Sequence, residues 1–403
     1  MKQFLRKYAD FVRQRDVTKL LLVGLLSRMP IGMVGFSMLI FLRESLGNFT
    51  LAGAAVGIDY VAAAIAAPIV GRIVDRSGPK GVLYVTGVMQ PLWLVVLLVA
   101  VKMGWSFTVV GLCAALTGIF STPTTTLTRT MWRHRFEREE DRRMAFALDS
   151  VTIEINFTLG PTIVAAVLAS FGSTAAFAVA IATVIGSFLV FLASPALRYF
   201  QAGDGGERHL LGPLTEPRLL LIYACTFGLT VCLGLLEVGY PAYGAFLAVP
   251  AMGGLLLGIN SLGSATGGAL YGGLHFRLPV ERQFACALGL MALPILLHAI
   301  LPPTPVLMVF AFFAGALIAP SIAAQSVLVS RLAPPRYATE AFTWGSMCII
   351  SGLGVGMALG GWLVESVSLR SVFIVSSALA GSVALLALLI TAPHPVESPR
   401  AAG

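Results

Sequence analysis

The sequence predicts an all-α polytopic membrane protein, with twelve transmembrane helices arranged as two pseudo-symmetric six-helix bundles. Three observations predict it: the composition, the spacing of apolar segments with the charges between them, and a likeness between the two halves. Of 403 residues, 57% are apolar and 11% charged, against roughly 45–50% and about 25% in soluble domains. So few charges could not cover a soluble surface, which excludes a cytosolic enzyme, a disordered chain and a nucleic-acid-binding module. The apolar supply, 57% of 403 residues, is close to what twelve crossings of roughly 20 residues each require.

The chain opens on a charged segment, 1–17, in which Phe4, Leu5, Tyr8, Phe11 and Val12 share one helical face, with Lys2, Arg6, Lys7 and Arg13 around it. That pattern fits either a short amphipathic helix on the membrane surface or a solvated lead-in to the first span. It lacks the short apolar run and small-residue cleavage site of a signal peptide. Hydropathy then predicts helices over 18–42, 51–73, 81–101, 105–128, 144–169 and 174–194. After a polar stretch it predicts six more, over 218–244, 250–274, 283–301, 305–328, 340–364 and 369–391. Strands are not expected, because an open sheet cannot satisfy its backbone in lipid.

The charges between these segments set their orientation. With the N-terminus inside, the inside segments hold 23 of the 27 Lys and Arg. The outside loops hold only Arg43, Lys102 and Arg370, and Arg28 is left within a span. Basic residues accumulate in cytoplasmic loops, so both termini are predicted cytoplasmic. The +8 net charge then reports topology rather than nucleic-acid binding. The longest hydrophilic interruption, 195–217, divides an N-terminal six-helix bundle, 18–194, from a C-terminal one, 218–391. A cytoplasmic tail, 392–403, follows.

The two halves repeat each other. Gly57-Ile58-Asp59 matches Gly258-Ile259-Asn260, and Gly71 and Arg76 match Gly272 and Arg277 at the same offset. Ala145-Phe146 and Ser150 match Ala341-Phe342 and Ser346, with Gly160 falling on Gly356. Gly118 and Pro123 match Gly315 and Pro320. Two related six-helix halves are a recognised transporter architecture.

The loop after the second predicted span reads Gly71-Arg72-Ile73-Val74-Asp75-Arg76-Ser77-Gly78-Pro79-Lys80. It resembles the G-x-x-x-D-R-x-G-R-[RK] signature between helices 2 and 3 of the major facilitator superfamily, with Pro79 departing where the pattern prefers a basic residue. The resemblance covers nearly the whole chain. It implies a cytoplasmic gate motif formed by Gly71, Asp75, Arg76, Gly78 and Lys80, with Asp75 latching that face at the N-terminus of helix 11. A carboxylate there is favourable; the alternative is that these charges only fix topology and turn geometry. The run Asn156-Phe157-Thr158-Leu159-Gly160-Pro161 partly resembles the Gly-Pro element of proton-driven exporters, with Ala165-Ala166 replacing its closing glycines. The helix 4 arginine of such exporters has no match, since Arg129 lies at the cytoplasmic end. The runs Arg28–Met33 and Thr339–Trp344 look like a bacterial exporter-like branch.

Ionisable groups at membrane depth are expensive and suggest function. Arg28, Asp59 and Glu154 lie about 13–15 Å from a span end at ~1.5 Å per residue, so all three sit near the midplane. One reading makes Asp59 or Glu154 a proton carrier, with Arg28 tuning it or binding an anionic substrate group; the other is a permanent ion pair. Asp149, one turn nearer the cytoplasm, is expected to pair with Arg129 or Arg143. Asn156, Glu237, Asn260, Gln325 and Trp344 are cavity candidates, Glu237 alternatively being solvated at the interface. His298 is expected to pack or face the lipid interface. The cysteines read as small packing residues. No phosphate-binding loop or metal-ligand cluster is visible, so neither cofactor nor metal is expected, and no enzyme chemistry. The expectation is a secondary active transporter for a small organic molecule, exporting it in exchange for protons. Its rivals are an importer or facilitator, and a non-transporting receptor on a transporter scaffold. It is expected as a monomer in the lipid bilayer of the inner membrane, without nucleic-acid partners.

Overall fold

The computed structural model describes residues 11, 15–136, 139–194, 212–273, 276–333 and 338–390. Most of segment 1–17, the linker over 195–211 and the tail from 391 lie outside the described residues. Among the described residues the chain is helical, without strands. Nine helices among them are long and apolar enough to cross a membrane.

The first three helices follow the expected spans with longer ends: α1 (Arg15–Leu46), α2 (Phe49–Ser77) and α3 (Pro79–Lys102). Asn48 caps α2, its side chain accepting from Leu51 N at 2.8 Å. Gly78 ends α2 at φ 79, a left-handed value that suits glycine. Pro79 then opens α3, the first-turn position where its missing N–H costs nothing. The departure from the loop signature thus has a local structural use.

Two expected spans are interrupted, and two others run together. The segment expected over 105–128 is two helices, α4 (Phe107–Ile119) and α5 (Thr124–Arg135), parted where Pro123 lacks an N–H to continue the ladder. The segment expected over 305–328 likewise divides into α10 (Thr304–Gly315) and α11 (Ile318–Leu332), with Pro320 crowding the carbonyl of Ala316. The segments expected over 144–169 and 174–194 form one run, α6 (Glu139–Leu192), broken only by the backbone of Gly172 (φ 82, ψ 175). That run doubles back. Asn156 Nδ2 donates to Leu25 O (3.1 Å) and Ser187 Oγ to Ser27 O (2.5 Å), so both limbs touch neighbouring turns of α1. A straight helix would hold these two positions about 45 Å apart. The remaining helices are α7 (Pro217–Phe246), α8 (Ala251–Gly273), α9 (Val280–His298), α12 (Ala338–Ser366) and α13 (Leu369–Ala387).

The repeat seen in the sequence reappears as repeated packing. Gly32 of α1 meets Gly160 of α6, while Gly234 of α7 meets Gly356 of α12. A Cβ on Gly118 of α4 would collide with Asp59 O of α2; one on Gly315 of α10 would collide with Asn260 O of α8. Small residues at these crossings let the backbones touch. Overpacking of this kind costs about 1–3 kcal/mol. Gly118→Ala and Gly315→Ala are therefore each expected to lower the unfolding temperature of the detergent-solubilised protein, which Gly81→Ala, at an open position, is not.

The halves meet along two seams, α2 with α12 and α6 with α8. Gly53 and Gly57 lie against Met357, Gly354 and Gly361, and Gly254 and Gly258 against Pro161, Thr162 and Ala165. These contacts occupy the part of each helix towards the turns at Gly47, Gly172 and Ala248, here the Gly47 face. Towards the opposite, Gly78 face, Gly71 and Gly272 have nothing within 4 Å of a Cβ position. Among the described residues the halves thus touch towards the Gly47 face, while these two glycines at the Gly78 face make no such contact. The second face carries exposed Arg72, Arg76, Lys80, Arg218, Arg277, Arg282 and Arg331. At that end Phe11 is buried and packs on Phe136 with ring centroids 5.2 Å apart, turned into the protein rather than towards lipid.

Candidate functional site

Arg28 is fully buried, and its partner is Asp149 rather than Asp59. Nη2 pairs with Asp149 Oδ1, and Nη1 bonds Thr152 Oγ1 (3.3 Å) and Asp149 O (3.4 Å). Trp132 Nε1 also donates to Asp149 Oδ1 at 3.1 Å. Counted by Cα positions, Arg28 lies at the depth of Glu154. A helical side chain leans towards its own N-terminus, and α1 runs parallel to the first limb of α6, so the guanidinium reaches back one turn to Asp149. The side chains of Glu154, Arg129 and Arg143 lie outside the described residues. Asn156, expected in the cavity, is 1% exposed and bonds α1 through Leu25 O, so it belongs to the α1–α6 seam.

Asp59 stands alone. Its Oδ1 is buried and has no hydrogen-bond partner, and the residue makes no ion pair among the described residues. The packing of Gly118 against its backbone fixes its turn of α2 on α4. Its neighbour Tyr60 crosses towards the other half. The Tyr60 ring lies over Gly35 of α1, and its Cβ faces Gly354 of α12.

Glu237, on α7, is half-buried and has neither a hydrogen bond nor an ion pair among the described residues. One turn on, the buried Tyr240 hydroxyl lies 3.4 Å from His298 Nε2. Asn260 Nδ2 donates to Ala311 O at 2.9 Å. His298 Nδ1 lies 2.6 Å from Pro294 O, a donor's approach to a carbonyl, which leaves Nε2 as an acceptor. His298 is therefore packed inside the second half, not at a lipid interface. The sequence reading missed Tyr60 and Tyr240, though Tyr60 is adjacent to Asp59 and Tyr240 follows Glu237 by one turn.

Gln325 is buried on α11 against Gly345 of α12, and Trp344 is half-buried on α12. Of the gate motif, Gly71 and Gly78 face open space, and Arg76 and Lys80 are exposed. The side chain of Asp75 lies outside the described residues. No group of His, Cys, Asp and Glu suited to a metal ion occurs among the described residues.

Among the described residues the arrangement therefore has an ion-paired tie, Arg28–Asp149, and two carboxylates within spans without an ion pair, Asp59 and Glu237. A carboxylate inside a span without a counter-charge is costly when ionised, so each is a place where a proton or a cation lowers the energy.

The model of the Major Facilitator Superfamily matches residues 20–282 and 242–403. No curated protein matches the chain in sequence. Among solved structures, the nucleoside transporter NupG aligns with a TM-score of 0.74 at 13% identity, over 94% of this chain and 99% of its own. A POT family transporter in complex with 5-aminolevulinic acid aligns at 0.74 and 10%, over 93% and 95%. A bacterial homologue of the iron transporter ferroportin, in an inward-facing state, aligns at 0.72 and 16%, over 93% and 98%. At these identities the likeness is one of fold.

Proposed function

This chain belongs to the major facilitator superfamily, and we propose that it is a proton-coupled secondary transporter that exports a small organic molecule by alternating access. The observation that carries the proton role is the carboxylate of Asp59, half-buried in a span with Oδ1 buried and unpartnered. Glu237 is the second proton or substrate contact, and Glu154 remains a candidate by its position on α6. Arg28 ties α1 to α6 through Asp149. Export is supported by the run Asn156–Pro161, whose final proline lies on the seam with α8 against Gly254.

The basic Gly78 face is cytoplasmic in this reading, by the tendency of Lys and Arg to remain inside. The protein sits as a monomer in the inner membrane with twelve crossings and both termini in the cytoplasm, and 195–217 links two bundles. Its present conformation then opens inwards. In this reading Asp75 meets the N-terminus of α12 when the Gly78 face closes.

Intracellular accumulation of a broad compound panel tests this, in cells expressing the wild type or Asp59→Asn, with and without an uncoupler. Lower accumulation of some compound with the wild type, abolished by the uncoupler, is the expected result. Higher accumulation would make the protein an importer. Identical accumulation of every compound in both strains would favour a non-transporting receptor.

A further inference from the structure

The gate motif closes one face, and the structure contains a matching device on the other. The N-terminus of α2 has unsatisfied N–H groups and a partial positive charge. Phe49 N donates to Glu365 Oε1 at 2.7 Å, from the last turn of α12. Thr50 Oγ1 donates to Gly361 O at 3.4 Å beside it. Gly361 in turn lies against Phe49 O and Gly53, so the two helices touch directly beneath this bond. Glu365 is otherwise exposed and forms no ion pair among the described residues. It is a carboxylate of one half capping a helix of the other.

The two helices run antiparallel, and their register can be followed. Phe49 meets Gly361 and Glu365, Gly53 meets Met357 and Gly361, and Tyr60 meets Gly354. Carried on towards the Gly78 face, the register of Phe49 with Glu365 sets Asp75 opposite Thr339, in the first turn of α12. Each helix therefore carries a carboxylate in its last turn and offers its N-terminus to the other's. At the Gly47 face the pair is made. At the Gly78 face the glycines of α2 stand in open space.

We propose that Glu365 is a gating residue: its carboxylate, capping α2, latches the Gly47 face shut and alternates with Asp75 at the opposite end of the same helix pair. The proposal rests on the alternating-access reading above. Rocking α12 about its glycine crossing with α2 breaks one cap as it forms the other. The two caps then oppose each other energetically, and neither open state is stranded.

The test is a distance measurement between spin labels in the full chain, with the five native cysteines replaced. One pair, at Ser45→Cys and Val367→Cys, spans the Gly47 face; the other, at Ser77→Cys and Phe342→Cys, spans the Gly78 face. All four positions are exposed. Glu365→Ala is expected to lower the ratio of closed to open Gly47 face about three- to tenfold. Glu365→Gln, which keeps an acceptor and loses the charge, should fall between. Population lost at the closed Gly47 face should appear at the closed Gly78 face. If both label pairs show two states and neither variant moves their ratio, the latch is wrong while alternating access stands. If no condition yields a second state at either face, the transport reading fails with it.

Discussion

Asp59→Asn is expected to abolish proton-driven flux while leaving the protein folded and in the membrane. Asparagine has nearly the shape of aspartate and removes the ionisable proton. Because Asp59 makes no ion pair among the described residues, the change strands no counter-charge, and folding should be little affected or improved. Uphill transport should fall at least about a hundredfold, since general proton-transfer groups contribute roughly that much or more in catalysed proton movements. Exchange of labelled for unlabelled substrate, which needs no net proton movement, should survive. Glu237→Gln, on the second half, should weaken substrate affinity or flux without abolishing both. The readouts are substrate uptake into proteoliposomes under an imposed pH gradient, and counterflow without one. Uphill transport by Asp59→Asn at the wild-type rate would remove Asp59 from the mechanism.

The second large effect is one of stability. Arg28 is wholly buried, and its bonds go to Asp149 and Thr152. Asp149→Ala would leave the guanidinium charge uncompensated, which typically costs about 3–5 kcal/mol. A sharp fall in unfolding temperature, and less folded protein in the membrane, is the expected outcome. Adding Arg28→Met removes the stranded charge and keeps most of the volume, so the double variant should recover much of the loss. Thermal unfolding in detergent measures all three. A double variant no better than the single one would show that Arg28 has another use, such as the anion contact first considered for it.

Those two residues also show how far the sequence could be read. The spans were legible because lipid demands long apolar helices with charges at their ends. Their pseudo-symmetry was legible because close backbone crossings admit only small residues: Gly118 with Gly315 and Gly160 with Gly356 mark equivalent crossings. Depth counted along the backbone was a poorer guide to side-chain partners. Arg28 is long and leans back one turn, so Asp149 rather than a residue at its own level receives it. The proline interruptions at Pro123 and Pro320 were visible as residues, but breaks in the ladder depend on how neighbours satisfy the freed groups. Gln90 Oε1, for one, takes Thr122 N at 3.2 Å. Glu365 left no signal, because a loop-adjacent glutamate is ordinary until the helix N-terminus it caps is known.

The central claim is that proton movement and substrate movement are coupled through Asp59. The most direct measurement is the internal pH of proteoliposomes containing purified protein and a pH-sensitive dye, as compounds that accumulate differently in cells are added outside. The account predicts a pH change on addition of a transported compound, dependent on protein and absent with Asp59→Asn. Transport of a compound with no accompanying pH change, or an equal change with Asp59→Asn, would contradict it.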